Sequence, residues 1–256
     1  MSALWQPLRD ELRLCRADGL DVPLWWRDDD AIRPTPALDR LTDMAARVGV
    51  PVHLAVIPAL AEPALGAYLR GNDGLIALVH GWAHENHAPE GDKKAEFGHP
   101  RSDGAAEIAK AVARLERLCG PHLLRVFVPP WNRFDNSFID ALRSSGFRGL
   151  SAFVARQTPM AAPGLLRINT HVDPIDWRGT RGLIMPETII AGAVDRLRAR
   201  RTGTEDATEP LGLLTHHLVH TEDVWQFTET FLNEMLAGGA EPASIARLTE
   251  PDHEQT

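Results

Sequence analysis

Short apolar runs alternate with stretches of helical periodicity along almost the whole chain, and this alternation limits the folds that it can adopt. Residues 22–26, 75–79 and 211–215 are mostly apolar, whereas residues 36–48 and 105–118 carry apolar side chains at helical spacing. Apolar strands separated by helices are typical of parallel sheets with helical crossovers. The pattern predicts an α/β fold with about seven parallel strands, first as a distorted (β/α) barrel and second as an open doubly wound sheet.

The domain organisation follows from the same pattern. The chain has 256 residues, enough to bury a sizeable core in one large domain. The sequence contains no internal repeat and no low-complexity tract. We predict a single domain over residues 1–237 and a loose C-terminal tail over residues 238–256.

Charge and cysteine content disfavour several classes of partner. Lys and Arg number 27 against 35 Asp and Glu, a net charge of −8, which disfavours nucleic acids and anionic membranes. With only two cysteines, the chain cannot form the disulfide framework of a small secreted protein, which is typical of a chain from a reducing compartment. Charged residues interrupt the apolar residues near the N-terminus, so no apolar signal segment is evident there. No apolar stretch approaches the about 20 residues that span a bilayer. We expect a cytoplasmic protein without a membrane span; the sequence indicates no oligomeric state.

Polar residues gather where predicted strands end. An acidic triplet follows the first strand, His80 ends the third, and His216 follows the last. Because active sites of parallel α/β folds lie at the carboxyl ends of the strands, we expect these groups to converge at one edge of the sheet.

The triplet Asp28-Asp29-Asp30 brings three carboxylates together. They repel each other unless solvent, a proton or a cation compensates them. The triplet therefore indicates either a cation site or a solvated loop before the next helix.

His80 and His84 have the spacing of two ligands to one metal ion. The zincin motif requires Glu after the first His, and Gly81 stands there, so that motif is excluded. Gly81 directly after a strand indicates a turn. A structural role is the alternative for a single histidine, but His87 makes three within eight residues, which favours metal binding.

Three further segments carry polar or aromatic groups after predicted strands. Pro129-Pro130 fixes the backbone before Trp131 and Asn132, which predicts either a pocket wall or a rigid plug. A second segment combines His171, Asp173, Asp176 and Trp177, where the carboxylates either tune a histidine or form a turn. In the third, one of His216 and His217 is a candidate general acid and the other a supporting group.

Taken together, these segments resemble the five motifs of the polysaccharide deacetylases, carbohydrate esterase family 4, also called the NodB-homology family. The motifs occur in the family's order between about Trp25 and His217. They are Arg27-Asp28-Asp29-Asp30, His80 with His84, Val128-Pro129-Pro130-Trp131, Asp173 with Asp176 and Trp177, and the strand ending at His216-His217. The second and fourth motifs carry most of the resemblance.

The resemblance implies a distorted α/β barrel that removes an N-acetyl or O-acetyl group from a sugar or glycoconjugate. It implies a divalent metal, with Zn²⁺ as first choice, held by Asp29, His80 and His84, because an Asp-His-His set leaves positions open for water and substrate. Asp28 would then be the base. In the alternative register of the triplet, Asp29 is the base and Asp30 the ligand.

The remaining roles follow from the same resemblance. His216 or His217 would be the general acid, tuned by Asp173. The substrate would be bound by Trp131, Asn132, Asp176 and Trp177.

One departure from the family pattern keeps other functions open. Val128 replaces the family's third-motif arginine, so Arg27 or Arg133 would have to support the base. This replacement motivates an alternative function, a non-catalytic carbohydrate-binding protein on a decayed deacetylase fold. A metal phosphoesterase is a third hypothesis, disfavoured because the motifs lack an evident Lys/Arg clamp or Gly-rich phosphate loop.

Overall fold

A computed structural model describes residues 3–249 and contains one mostly parallel sheet, which confirms the predicted α/β class. The strands are β1 Pro23–Ala31, β2 Val52–Val56, β3 Leu75–His80, β4 Leu123–Val128, β5 Gly149–Leu150, β6 Met160–Ala162, β7 Leu165–Arg167, β8 Leu211–Thr215 and β9 Glu241–Pro242. They lie in the order β6-β7-β5-β4-β3-β2-β1-β8, and β9 pairs with the start of β1.

The sheet curves towards a ring without forming a continuous closed ladder. Its pairs are parallel except for β6 with β7, and β6 and β8 are its edges. An isolated parallel bridge between Val172 and Leu213 places the segment after β7 beside β8. This geometry agrees with a distorted barrel.

Helices connect the strands as the sequence predicts. They are α1 Gln6–Ala17, α2 Pro36–Val48, α3 Pro63–Arg70, α4 Gly104–Cys119, α5 Ile139–Ser144, α6 Pro186–Arg201, α7 Glu222–Ala237 and α8 Ala246–Thr249. The start of α2 shows the local cause, because the Thr35 side chain accepts a hydrogen bond from the Leu38 N–H and Pro36 occupies the first helical position. None of the helices within residues 3–249 has the length and apolar character needed to cross a membrane.

Successive residues of β1 point to opposite faces of the sheet, as in any strand. Trp26 packs in the outer core, between the sheet and its helices. Trp25 belongs instead to a smaller inner cluster, on the concave face of the sheet, with Ala55, Leu78, Val126, Val128, Ile168 and Ile245. This alternation decides where each residue of the acidic triplet points.

The C-terminal segment differs from the loose tail predicted from residue 238. β9 pairs with β1, Ile245 is fully buried in the inner cluster, and the Ile245 N–H donates to Nε2 of His53 at 3.2 Å. A two-residue strand has no periodicity to detect in a sequence, which explains the difference. Residues 250–256 of the predicted tail lie outside the described residues.

His53 is a buried histidine of the inner face. Its Nδ1 donates to the Trp26 carbonyl at 3.0 Å, and burial lowers the pKa of the imidazole to about 4. The ring is therefore a neutral part of the core at physiological pH.

Candidate metal centre

Asp30, His80 and His84 converge at the carboxyl edge of the sheet. Oδ1 of Asp30 lies 3.1 Å from Nε2 of His80 and 3.4 Å from Nε2 of His84. One ligand atom from each residue lies within 4.8 Å of the others. Burial opposes ionisation of Asp30, yet the two imidazoles hold the pKa of this carboxyl below its usual value.

The hydrogen bonding of His80 fits metal binding. Its Nδ1 donates to the Val128 carbonyl at 3.0 Å, which directs Nε2 towards the Asp30 carboxylate, and, against the effect of burial, the neighbouring carboxylates raise the pKa of His80. A metal ion can take the place of the proton between Nε2 and the carboxylate, and an imidazole whose other nitrogen donates to a backbone carbonyl is the usual form of a histidine ligand. One carboxylate and two imidazoles are a donor set typical of catalytic Zn²⁺.

The backbone from His80 to His84 forms a turn instead of a helix. Gly81 has φ of 55° and His84 has φ of 59°. A Cβ at Gly81 would lie 2.0 Å from Oε2 of Glu96 and 2.6 Å from the ring of Pro130, so only glycine fits there.

The buried side chain of Glu96 holds this turn in place. Its carboxylate is 1% exposed and accepts hydrogen bonds from the N–H groups of Trp82 at 3.0 Å and Ala83 at 2.7 Å. Burial raises the pKa of Glu96 in spite of these donors. No motif marks this role, because Glu96 lies in a polar loop 13 residues beyond Ala83 and 14 beyond Trp82.

The three residues of the acidic triplet have three different environments. Asp29 points to the inner face, where Nη2 of Arg27 donates to its Oδ2 at 3.0 Å and Nε of Arg27 lies 2.9 Å from its Oδ1. Asp30 lies within an irregularity of the β1–β2 register, between Asp28 and Ala31, and has φ of 74°, which brings it to the two imidazoles. The structure thus brings Asp30 to the two imidazoles, where the sequence reasoning preferred Asp29.

Asp28 lies on the opposite face, behind the site. It is fully buried, accepts a hydrogen bond from Nδ1 of His217 at 2.5 Å, and accepts another from Oγ1 of Thr215 at 2.6 Å. Asp28 and His217 were both predicted as catalytic. They form a hydrogen-bonded pair on the face of the sheet that the helices cover, and they do not line the cavity described below. The cause is the strand alternation, since Asp28 shares the outer face with Trp26.

His216 and Trp177 meet on the other side of the cavity. Their ring centroids are 4.6 Å apart, and Nε1 of Trp177 donates to Oδ2 of Asp173 at 2.8 Å. Burial raises the pKa of Asp173 although His216 opposes this. Asp173 therefore reaches His216 through the indole that it holds.

Asp176 has a local role. Its carboxylate accepts hydrogen bonds from the N–H groups of Gly179 at 3.0 Å and Thr180 at 3.1 Å. This closes a turn, and Asp176 does not line the cavity where it was expected to bind substrate.

Trp131 and Asn132 both line the cavity, and their backbone is strained. Their φ angles are 56° and 57°, in the left-handed region that non-glycine residues adopt at a cost of about 1 kcal/mol or more. The Trp131 indole lies 4.3 Å from the His84 ring, and Oδ1 of Asn132 accepts a hydrogen bond from Nη2 of Arg27 at 2.7 Å. With Asp30 and His84, four left-handed residues therefore surround this site, a concentration typical of functional sites.

The site opens into a cavity of about 750 Å³, of the size that binds small ligands. Two indoles, Trp131 and Trp177, lie in its lining together with Asp29 and His216. The lining also contains Arg133, which the sequence offered as a support for the base, and three cationic side chains that sequence reasoning missed: Lys94 from one loop, and Arg178 and Arg181 from another.

No protein-family model and no curated protein matches the sequence. Solved structures nevertheless match the fold. A Mycobacterium smegmatis protein described as a polysaccharide deacetylase matches with a TM-score of 0.68 and 16% identity over 90% of each chain. A family 4 carbohydrate esterase from Streptomyces lividans matches with a TM-score of 0.54 and 12% identity over 90% of this chain and 96% of the other.

The chain thus has the fold of the family 4 carbohydrate esterases, and its structural neighbours include polysaccharide deacetylases, as the motifs predict. The neighbours also include BA3943, a family 4 pseudoenzyme from Bacillus anthracis, with a TM-score of 0.53 and 13% identity over 90% of this chain and 66% of the other.

Proposed function

We propose that this protein is a metal-dependent deacetylase that hydrolyses an N-acetyl, or alternatively an O-acetyl, group of a sugar or glycoconjugate. The convergence of Asp30, His80 and His84 at the edge of a cavity supports this function most strongly. These three residues would hold the metal, with Zn²⁺ as first choice. When bound, the metal activates water and polarises the acetyl carbonyl.

Asp29 is the proposed general base. Its carboxylate lines the cavity next to Asp30, and Arg27 holds both of its oxygens from behind. Arg27 is itself fixed by Ser151 and Asn132, so the carboxylate has little freedom to turn. In this position Asp29 accepts the proton of the water that attacks the acetyl carbon. Arg27 thereby supplies the support that Val128 cannot.

His216 is the proposed general acid, because it lines the cavity whereas His217 does not. It delivers a proton to the amine as the bond between carbon and nitrogen breaks. Asp173 and Trp177 are positioning residues, since the Asp173 carboxylate holds the indole that packs against the His216 ring. The products are acetate and the free amino sugar.

Acetate release tests the proposal directly. The purified protein is loaded with Zn²⁺ and given a panel of N- and O-acetylated sugars before and after chelation. We expect release that stops on chelation and returns with the metal. Asp30→Asn should lose both metal and turnover, whereas Asp29→Asn should retain the metal and lose turnover. A metal-loaded protein that releases no acetate from any member of the panel contradicts the proposal.

A non-catalytic carbohydrate-binding protein is the second candidate, supported by the pseudoenzyme among the structural neighbours. It predicts sugar binding that is unchanged in His216→Gln and no acetate release. The Arg27–Asp29 pair and the converging Asp-His-His set favour the enzyme, because a binding protein requires neither.

A further inference from the structure

The cavity lining is rich in cations. It contains Lys94, Arg133, Arg178 and Arg181 against three carboxylates, those of Asp29, Asp30 and Asp173. The whole chain carries a net charge of −8, so this lining departs from the rest of the molecule.

Neighbouring groups already balance the negative charges of the three carboxylates in the lining. Asp29 is paired with Arg27, which lies behind it, and Asp30 faces two imidazoles. Asp173 accepts hydrogen bonds from the Ile175 N–H and the Trp177 indole. The cations of the lining therefore lack carboxylate partners within it.

Within residues 3–249 the side chains of Lys94, Arg178 and Arg181 form no hydrogen bond or ion pair. Exposed arginines elsewhere differ in this respect: Arg40 donates to Glu222 at 2.7 Å and Arg47 to Glu229 at 3.0 Å, whereas the side chains of Arg117 and Arg148 have no such partner among the described residues. What distinguishes Lys94, Arg178 and Arg181 is that three unpaired cations line the same cavity.

Arg178 and Arg181 are carried by a defined turn. The Asp176 carboxylate holds the N–H groups of Gly179 and Thr180, and the Arg181 N–H donates to the Asp176 carbonyl at 2.9 Å. This turn follows Trp177, whose indole packs against His216. Two guanidinium groups therefore stand beside an aromatic surface suited to a sugar ring, and guanidinium groups bind carboxylate and phosphate with paired hydrogen bonds.

We propose that the substrate is an acetylated amino sugar that carries an anionic group, a carboxylate or a phosphate, which Arg178 and Arg181 bind. This inference rests on the proposed deacetylase function for the acetyl group, and it adds the charge of the substrate. Lys94 and Arg133, from the loops after β3 and β4, strengthen the positive potential around the same cavity.

Binding of three matched probes tests the proposal in the Zn²⁺-loaded protein. They are N-acetylglucosamine, N-acetylmuramic acid, which adds a carboxylate, and N-acetylglucosamine 6-phosphate. We expect at least one anionic probe to bind about tenfold tighter than the neutral sugar at low salt, with a smaller difference at high salt because exposed charges are screened. Preference for one anionic probe identifies the carboxylate or the phosphate as the recognised group. Equal binding of all three overturns the proposal.

The variant R178Q/R181Q separates the arginines from the metal as the anion site. We expect it to bind the neutral sugar as before and to lose the preference for the anionic probe. The control R117Q/R148Q removes the same charge from exposed arginines that do not line the cavity, and it should keep the preference. A preference that survives in R178Q/R181Q overturns the proposal.

Acetate release from the same probes distinguishes the two proposals. Anionic preference that depends on Arg178 and Arg181, without release from any probe, supports the anion site and contradicts the deacetylase function. Release from all three probes at equal kcat/KM supports the deacetylase and contradicts the anion site.

Discussion

Arg27 and Asp29 stand two residues apart on the inner face of β1 and form a buried ion pair. Residues two apart on a strand point to the same face of the sheet, so the geometry of β1 places the Arg27 guanidinium group beside the Asp29 carboxylate. The other contacts of Arg27, with Ser151 and Asn132, connect this strand to the segments after β4 and β5. One arginine thus couples the proposed base to the wall of the cavity.

Replacing Arg27 should damage both the fold and the reaction. Arg27→Gln leaves Asp29 buried without its counter-charge, which we expect to lower the free energy of unfolding by about 3 kcal/mol. Urea denaturation measures this loss. Arg133→Gln is the matched control, because Arg133 is half-buried at the cavity and should change the stability by less than about 0.5 kcal/mol. Equal losses in the two variants would show that Arg27 is not the residue that supports Asp29.

Glu96 should control metal affinity without touching the metal. Glu96→Gln replaces one of two acceptor oxygens with an NH₂ group, which cannot accept from the Trp82 or Ala83 N–H. We expect the turn that carries His84 to loosen and the affinity for Zn²⁺ to fall about tenfold. Competition with a chromophoric chelator measures the affinity. Glu90→Gln, an exposed change in the same loop, is the control, and an unchanged affinity in Glu96→Gln would refute this role.

His216 and His217 should give opposite results when changed to Gln. His217→Gln breaks a fully buried pair with Asp28, so the free energy of unfolding should fall by about 3 kcal/mol. His216→Gln should leave the stability nearly unchanged and reduce kcat by about 100-fold or more, because it removes the proposed acid. Thermal unfolding and acetate release measure the two effects. A stable and inactive His217→Gln variant would reverse the assignment.

His53 should make the protein sensitive to acid. Its pKa is about 4 in the folded protein and 6.5 when unperturbed. Protons therefore bind the unfolded chain first as the pH falls, and stability is lost between about pH 6.5 and about pH 4. From pH 7 to pH 5 this single group accounts for about 2 kcal/mol of unfolding free energy.

The variant His53→Gln should lose that part of the pH dependence, while His122→Gln, a change near the surface, should keep it. Denaturation curves at pH 7 and pH 5 give the comparison. His220, whose pKa burial also lowers to about 4, contributes in both variants and therefore cancels. An unchanged pH dependence in His53→Gln would contradict the prediction.

Residues whose position depends on the order of elements were predictable from the sequence. The alternation of apolar runs and helical stretches predicted the α/β class, and the carboxyl ends of the strands predicted where His80, His84 and His216 would gather. Parallel strands force these ends onto one edge, so no knowledge of side-chain contacts was required.

Contacts that depend on strand length and on distant loops were not predictable. Because β1 was expected to end at Trp26 and ends at Ala31, the alternation of faces within the triplet was missed, and with it the separate environments of Asp28, Asp29 and Asp30. Glu96 and Arg178 reach the site from loops without a periodic pattern. These residues approach the site only in the folded chain, so no local pattern in the sequence predicts their positions.

The pairing of β1 has a consequence for synthesis of the chain. This strand begins at Pro23, yet two of its neighbours, β8 and β9, begin at Leu211 and Glu241. β1 therefore leaves the ribosome long before β8, which covers one of its edges, and before β9, which pairs with the start of its other edge. Until β8 has been synthesised, the edge of β1 that it covers lacks its partner strand and stays open to water and to other chains.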